Sequence, residues 1–373
     1  MNQINCPICG NKCVKAGKTK AGTQRWLCKK CKTSLTHKID NDSKELQIFL
    51  DWLFGKETQS IMPGEGRTFR RKTARFWDIW PMPPKIEETK DVLFLDGIYL
   101  GRKACVLICC DEKNVLGWYL CRYEHAGAWI ALMKRIAEPR MVVSDGGTGF
   151  AKALKKVWLI AKHQRCIFHV FCQIKRYTTP KPNTLAGVEL YCLAKDLLKI
   201  KEKQEAETWV TRFTEWIKKY QKFLSEMTVD EHGNKRPTHE RLLKAERSLL
   251  KLIKENTLFT YLDKEFINDF IAPSTNNRIE GGINSRLREM LRNHRGLSIE
   301  RRIKAVYWWC YMHSPEPLSL SEIIKTMPTD RNIAAIYQRM NDKSRLEKSL
   351  SLWGDAIVWS DLHKTDKSFT EWD

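Results

Sequence analysis

The stretch Val92-Leu93-Phe94-Leu95-Asp96-Gly97-Ile98-Tyr99-Leu100 decides the fold. It is an apolar run of strand length, and such a run reads as a buried strand. One carboxylate, Asp96, interrupts it near its middle. A buried charge is costly unless something offsets it, and a bound cation is one such partner. The other reading puts Asp96 at the end of the strand, capping a turn made by Gly97. The strand alone favours that plainer reading, and the residues downstream reverse the balance.

Residues 104–110 read as a second strand, Asp111-Glu112-Lys113-Asn114 as a turn, and residues 115–123 as a third strand. Residues 127–136 read as a helix. Residues 141–143 are a short β-branched strand that runs into Ser144-Asp145-Gly146-Gly147-Thr148-Gly149. Residues 150–157 read as helical and 164–170 as a fifth strand. The glycines resemble a phosphate cradle, but no Gly-Lys-Ser/Thr follows them, so they read as the tight turn into the next helix. Three antiparallel strands followed by alternating helices and strands is the connectivity of a ribonuclease-H-like domain. That fold asks for a carboxylate on the first strand and another at the end of the fourth, side by side. Asp96 and Asp145 occupy those places. Ligands of open α/β sheets bind at strand ends.

Residues 185–271 carry apolar stripes at helical spacing, first Trp209, Val210, Phe213, Trp216, Ile217 and Tyr220, then Leu242, Leu243, Leu249, Leu250 and Ile253. They read as packing faces of an all-helical insertion, with residues 227–237 as an exposed loop. Next comes Pro273-Ser274-Thr275-Asn276-Asn277-Arg278-Ile279-Glu280-Gly281-Gly282-Ile283-Asn284. Ser274, Thr275 or Asn276 is suited to cap a helix that carries Glu280, the one acid of the stretch. An ordinary basic amphipathic helix reads as well on these residues alone. With Asp96 and Asp145 already placed, Glu280 is the third candidate ligand. Asn276, Arg278, Asn284 and Arg286 around it are candidates for holding DNA.

The N-terminal part is a different module. Cys6-Pro7-Ile8-Cys9 and Cys28-Lys29-Lys30-Cys31 are two C-x2-C pairs, spaced as two knuckles that supply four thiolates to structural zinc. So short a segment has little core of its own, and the metal would supply its stability. Cys13 lies outside the pattern. Arg25 beside Trp26 suits phosphate contact, although Trp26 reads better as packing on the knuckles. Leu46, Phe49, Leu50 and Leu53 then mark a helix ended by Gly55. Arg67-Thr68-Phe69-Arg70-Arg71-Lys72-Thr73-Ala74-Arg75-Phe76-Trp77 reads as a basic helix with Phe69, Thr73, Phe76, Trp77 and Trp80 on one side. Arg70, Arg71 and Arg75 project elsewhere. A helix-turn-helix DNA-binding module fits, and so does a plain helical hairpin. Pro81-Met82-Pro83-Pro84-Lys85 is a linker.

The net charge of +21 suits a polyanionic partner. It is unevenly spread: residues 1–39 hold nine Lys/Arg and no acid, and residues 286–304 hold seven against two. No signal peptide or membrane span is apparent, and the expected location is cytoplasmic and nucleoid-associated. Four of the thirteen cysteines have metal spacing, and the rest read as reduced thiols.

Together these residues resemble the Mutator-like insertion-sequence transposases. Asp96 in Leu-Asp-Gly, Asp145 in Ser-Asp-Gly and Glu280 in Asn-Asn-Arg-Ile-Glu-Gly-Gly-Ile-Asn-Ser look like that group's Asp-Asp-Glu set. Cys166-Ile167-Phe168-His169 looks like its Cys-x2-His signature, and a helical insertion before the Glu is similar too. The N-terminal arrangement resembles a bacterial subgroup with a zinc ribbon and helix-turn-helix. The resemblance covers roughly residues 6–311. It implies an RNase-H-like mixed α/β sheet interrupted by an all-helical insertion. It implies two Mg2+ (or Mn2+) ions held by Asp96, Asp145 and Glu280, cleavage at the ends of a mobile element, and strand transfer into target DNA. It implies double-stranded DNA as partner, at element ends and target, and a homodimer on that DNA. Arg25, Arg70, Arg71, Arg75, Arg278 and Arg286 are the expected DNA contacts, with Cys166 and His169 as support for the site. The expected boundaries are 1–39 for the zinc ribbon, 40–84 for the helix-turn-helix and linker, and 85–184 for the first part of the core. Residues 185–272 would be the insertion, 273–315 the rest of the core with the Glu helix, and 316–373 a tail. The alternatives are a structure-selective nuclease or resolvase of the same fold, and a DNA-binding regulator without catalysis.

Overall fold

A computed structural model describes residues 4–6, 9–36, 41–229, 231–267, 269–270 and 272–344. The expected features on Pro7, Ile8, residues 37–40, Ile271 and residues 345–373 of the tail lie outside the described residues. The chain divides into two compact units. One is Met1–Trp52, Glu57–Phe76 and Ser319–Thr326, and the other is Leu53–Lys56, Trp77–Leu318 and Met327–Asp373.

The first unit opens with a three-stranded antiparallel sheet of β1 (Cys13–Lys18), β2 (Gln24–Cys28) and β3 (Ser34–Thr36). Each C-x2-C pair is a knuckle closed in the same way. Gly10 N donates to Cys6 O, and Lys32 N donates to Cys28 O, both at 2.9 Å. Both closing residues are left-handed, Gly10 at φ 68° and Lys32 at φ 59°. Trp26 packs on the cysteine cluster. Helix α1 (Asn41–Phe54) and helix α2 (Glu65–Thr73) follow. The expected apolar positions are buried, and the two helices meet through Phe49–Phe76 at 5.7 Å and Trp52–Phe69 at 5.5 Å between ring centroids.

The second unit is built on a five-stranded mixed sheet of β4 (Val92–Tyr99), β5 (Cys105–Cys110), β6 (Val115–Cys121), β7 (Met141–Ser144) and β8 (Lys162–Arg165). Its order is β6-β5-β4-β7-β8. The first three strands are antiparallel neighbours, and β4, β7 and β8 run parallel. Strand β6 therefore points the same way as β4. Helices α3 (Ala126–Met133) and α4 (Thr148–Val157) connect the strands and close one core, in which Trp129, Phe150 and Trp158 pack against Leu93, Leu95, Leu107 and Val142. Asp96 lies inside β4, opposite Ile108 of β5, and not at its end.

The fifth strand differs from the expectation over 164–170. It ends at Arg165, and helix α5 (Ile167–Thr178) begins two residues later. Ile167, Val170 and Ile174 are buried at helical spacing, a pattern that a short apolar run does not separate from a strand.

Helices α6 (Leu185–Leu197), α7 (Lys203–Leu224) and α8 (Glu240–Lys254) make up most of the next stretch. Trp209, Phe213 and Trp216 stack in a row along α7. The buried indoles donate to backbone oxygens of α6, Trp209 Nε1 to Leu193 O at 2.8 Å and Trp216 Nε1 to Ala186 O at 3.0 Å. Two details differ from the sequence reading. Leu250 is exposed. The expected loop over 227–237 contains an exposed hairpin of β9 (Met227–Val229) and β10 (Lys235–Pro237), so the stretch is not wholly helical. A short α9 (Lys264–Ile267) precedes the Glu280 segment, and α10 (Ser285–Asn293) and α11 (Ile299–Met312) follow it. Trp308 and Trp309 of α11 are core residues. Beyond α12 (Leu320–Thr326), α13 (Asp330–Ser344) brings Asp330 to Lys304 of α11. Among the described residues no helix is long and apolar enough to cross a membrane.

Candidate active site

Strand register places the two aspartates. Leu95 pairs with Ser144 as the last registered pair of the parallel strands β4 and β7. Asp96 and Asp145 are the next residue on each strand. Neighbouring strands lie about 4.8 Å apart, so the two carboxylates leave the sheet side by side. Beyond them the strands diverge. Gly147 N donates to Asp145 Oδ1 at 3.0 Å, and Gly147 then opens α4. Gly146 has to be glycine for two reasons. Its φ is +79°, and a Cβ there would fall 2.4 Å from Arg165 Nη1, because the Arg165 side chain lies across it.

Glu280 arrives on a wide turn. Arg278–Asn284 forms a single π-helical segment that runs into α10, where an ordinary capped helix was expected. Such wide turns cluster at functional sites. Two clasps seat this segment on the sheet. Asn276 Nδ2 donates to Leu95 O at 3.1 Å, and Asn276 N donates to Cys166 Sγ at 3.2 Å. Cys166 N in turn donates to Ser144 O at 2.9 Å. The Cys-x2-His signature thus joins the end of β7 to the Glu280 segment. Its histidine completes the arrangement: His169 Nδ1 lies 3.3 Å from Glu280 Oε1. Burial holds His169 below the usual histidine range, with Asp145 opposing and Arg165 adding to the fall.

Asn276 and Asn284 were read from the sequence as DNA contacts, and the structure corrects this. Both are fully buried. Asn284 Nδ2 donates to Asp96 Oδ2 at 2.7 Å, and Gly97 N donates to Asp96 Oδ1 at 2.9 Å. The asparagines build the site from within. Arg278 donates from Nε to Glu112 O at 2.6 Å, so part of its fork is engaged by the β5–β6 turn. Arg286 is exposed on α10. In the first unit Arg25 and Arg71 are exposed, and Arg70 donates to Gln59. Arg75 is held by Asp42 at 2.9 Å and Glu45 at 2.7 Å.

A fourth carboxylate belongs to the site, and the sequence reading missed it. Glu124 follows β6, whose end lies on the same side of the sheet as the ends of β4 and β7. A Cβ on Gly97 would fall 2.6 Å from Glu124 Oε1, so the absent side chain at Gly97 makes room for this acid. Its only signal in the sequence is a carboxylate just past an apolar strand that runs parallel to β4.

The electrostatics follow from burial and crowding. Burial pushes Asp96 up to about 6; the Gly97 and Asn284 hydrogen bonds oppose the rise, and Asp145 adds to it. Burial pushes Glu280 up to about 7, with Asp96 and Asp145 adding and Arg288 opposing. Glu124 is also pushed up to about 7, by burial first and then by Asp145 and Asp96. Acids held close with so little compensating charge suit a divalent cation, and oxygen donors suit Mg2+ or Mn2+. Asn284 Oδ1 is a further buried oxygen there without a hydrogen-bond partner. The closest donor set, however, is not the acid trio. Among the described residues the sets with all donor atoms within 4.8 Å are Cys6, Cys9, Cys28, Cys31 and Cys166, His169, Glu280. Asp96 accepts from Asn284, and Glu280 Oε1 lies 3.3 Å from His169 Nδ1, a buried nitrogen without a hydrogen-bond partner.

The four N-terminal thiols fit zinc. Cys6–Cys31 and Cys9–Cys28 are each 3.4 Å apart between sulfurs, and Cys9–Cys31 is 3.6 Å. A tetrahedron with Zn–S of about 2.3 Å puts its sulfurs about 3.8 Å apart. The Thr33 hydroxyl, 3.2 Å from Cys31 Sγ, together with the Thr33 backbone brings the Cys31 thiol down to about 6, as a ligating thiolate requires. Cys13 is buried beneath the cluster and outside the donor set.

Two comparisons bear on kinship. Residues 104–234 match the family described as Transposase, Mutator family. The chain is also 31% identical over 101 residues to the transposase for insertion sequence element IS905 of Lactococcus lactis subsp. lactis, covering 23% of this chain. That alignment spans about a quarter (26%) of the relative's length. The two findings agree with the motifs: over part of its length the chain is similar to the Mutator family and to an insertion-sequence transposase.

Proposed function

We propose that this protein is a DDE transposase. It would bind the ends of its insertion sequence, cut the DNA there and join the freed strand to target DNA. The reading rests on one observation above all: Asp96 and Asp145 leave adjacent parallel strands one residue past their last registered pair, and the Glu280 segment is clasped to the same two strands. The strand order β6-β5-β4-β7-β8, with three antiparallel strands and two parallel ones, supports an RNase-H-like core.

Asp96, Asp145 and Glu280 would hold two divalent cations, with Glu124 in reserve beside Asp96. Bound there, such ions supply charge for an attacking water or 3′-hydroxyl and for the leaving 3′-oxygen. The protein's own part is positioning and charge. Asn284 fixes Asp96, His169 faces Glu280, and Cys166 secures the backbone that carries Glu280. The N-terminal cysteines would hold structural zinc, and the exposed arginines of α2 would face DNA as in a helix-turn-helix. A dimer on DNA follows from the need to bring two ends together.

The test uses the full-length protein with oligonucleotides carrying the terminal repeats that flank its reading frame. Cleavage with joining, in Mg2+ or Mn2+, is expected. Asp96→Ala should abolish both steps while DNA binding stays within about twofold of the parent, because the change removes a cation ligand and not a phosphate contact. Cutting without joining would favour a nuclease or resolvase, and cleavage that survives Asp96→Ala would remove the site assignment.

A further inference from the structure

A second site lies beside the acids, farther along β4. A cavity of about 430 Å³ is lined by Arg288, Arg292, Arg295 and Arg302, with Ile98 and Tyr99 on its other wall. Arg288, Arg292 and Arg295 recur at intervals of four and three residues, which is one face of α10 continued into the turn after it. Arg302 comes from α11. No carboxylate lines this cavity. Four like charges lining one cavity suit an anion, although Arg292 is also felt by Glu289 on the same helix. Guanidinium forks match phosphate oxygens two at a time. Arg302 Nε is buried without a hydrogen-bond partner. Ile98 and Tyr99 follow Asp96 by two and three residues on the same strand, and the Tyr99 ring is half exposed. The charge of Arg288 reaches both Asp96 and Glu280.

We propose that this arginine cavity is a phosphate subsite that seats the DNA backbone of the strand passing through the carboxylate site. It would fix the strand on one side of the scissile bond, with Tyr99 beside the neighbouring sugar or base. The proposal rests on the transposase reading for its ligand. It adds residues that neither the motifs nor the expected DNA contacts include.

Fluorescence anisotropy of a labelled random-sequence duplex, titrated with full-length protein over a range of KCl concentrations, tests it. Each neutralised phosphate contributes about 0.9 to the slope of log affinity against log salt. The pair Arg292→Gln with Arg295→Gln should weaken binding about tenfold and make the slope shallower by about two. Both side chains are exposed, so thermal unfolding should be unchanged. If the double variant is unstable, Arg295→Gln alone, beyond the end of α10, should change the slope by about one. Arg212→Gln with Arg247→Gln removes the same charge from α7 and α8 and should leave the slope near that of the parent. An unchanged slope in the first pair, or an equal change in both pairs, overturns the subsite. Inorganic phosphate that stabilises the parent against heat and not the first pair, with the DNA slope unmoved, would make it a free-anion pocket and also overturn the proposal. If the parent binds no DNA at all, the transposase reading itself falls, which is a distinguishable failure.

Discussion

At the scale of single residues, three acids of the site are held above the usual carboxylate range. Asp96 is raised to about 6, and Glu124 and Glu280 to about 7. Without cations the folded chain therefore binds protons at these acids more tightly than the unfolded chain does. That preference stabilises the fold fully below about pH 4 and is lost as pH rises through about 6–7. Divalent cations compete with those protons. Millimolar Mg2+ should raise the melting temperature more at about pH 8 than at about pH 5.5, and Glu124→Gln should shrink the difference. Equal Mg2+ effects at the two pH values would show that these acids do not form the cation site. Asp96 and Asp145 were legible as neighbours because strand order alone puts β4 beside β7. Glu124 was not, since an acid after a strand is common and only the parallel direction of β6 turns it toward the others. The buried roles of Asn276 and Asn284 were hidden for a related reason. Asparagine in a polar segment reads as surface until the backbone groups it must satisfy are known.

At the scale of elements, hydrophobic period served well where segments were long. Helices α1 and α7 follow it, whereas strands β4 to β6 show instead as continuous apolar runs buried on both faces. It failed at residues 164–170, where a four-residue strand gives way to helix within two residues, and at the π-helical segment, which is too short to show its wider period. One element pairing invites a direct test. Lys304 of α11 is completely buried, and its Nζ lies 2.6 Å from both Glu300 Oε1 and Asp330 Oδ1. Trp80 Nε1 donates to the same Asp330 oxygen at 2.6 Å. Removing the ammonium leaves Glu300 and Asp330 without their cation, with Asp78 adding negative charge beside them. Lys304→Met should cost about 3 kcal/mol in denaturant unfolding. Asp330→Asn, which keeps an oxygen for Lys304 and Trp80, should cost about 1 kcal/mol. Equal costs, or none, would show that the ion pair is incidental to stability.

For the whole molecule, the positive charge was plain in the composition, while its division between two compact units was not. The N-terminal unit has too few apolar residues around β1–β3 to dispense with its cysteine cluster. A strong chelator should release zinc and abolish the near-ultraviolet signal of Trp26, while the melting of the five-stranded sheet persists; a Trp26 signal indifferent to chelation would rule out the metal as its support. The lysine of α11 carries a further consequence, for how the chain is made. Glu300 on the same helix supplies one counter-charge, and the second arrives only with Asp330, long after the sheet has been synthesised. A ribosome that stops before that residue releases a chain in which the fully buried Lys304 lacks Asp330. A chain ended before α13 should therefore unfold at a lower denaturant concentration than the full chain.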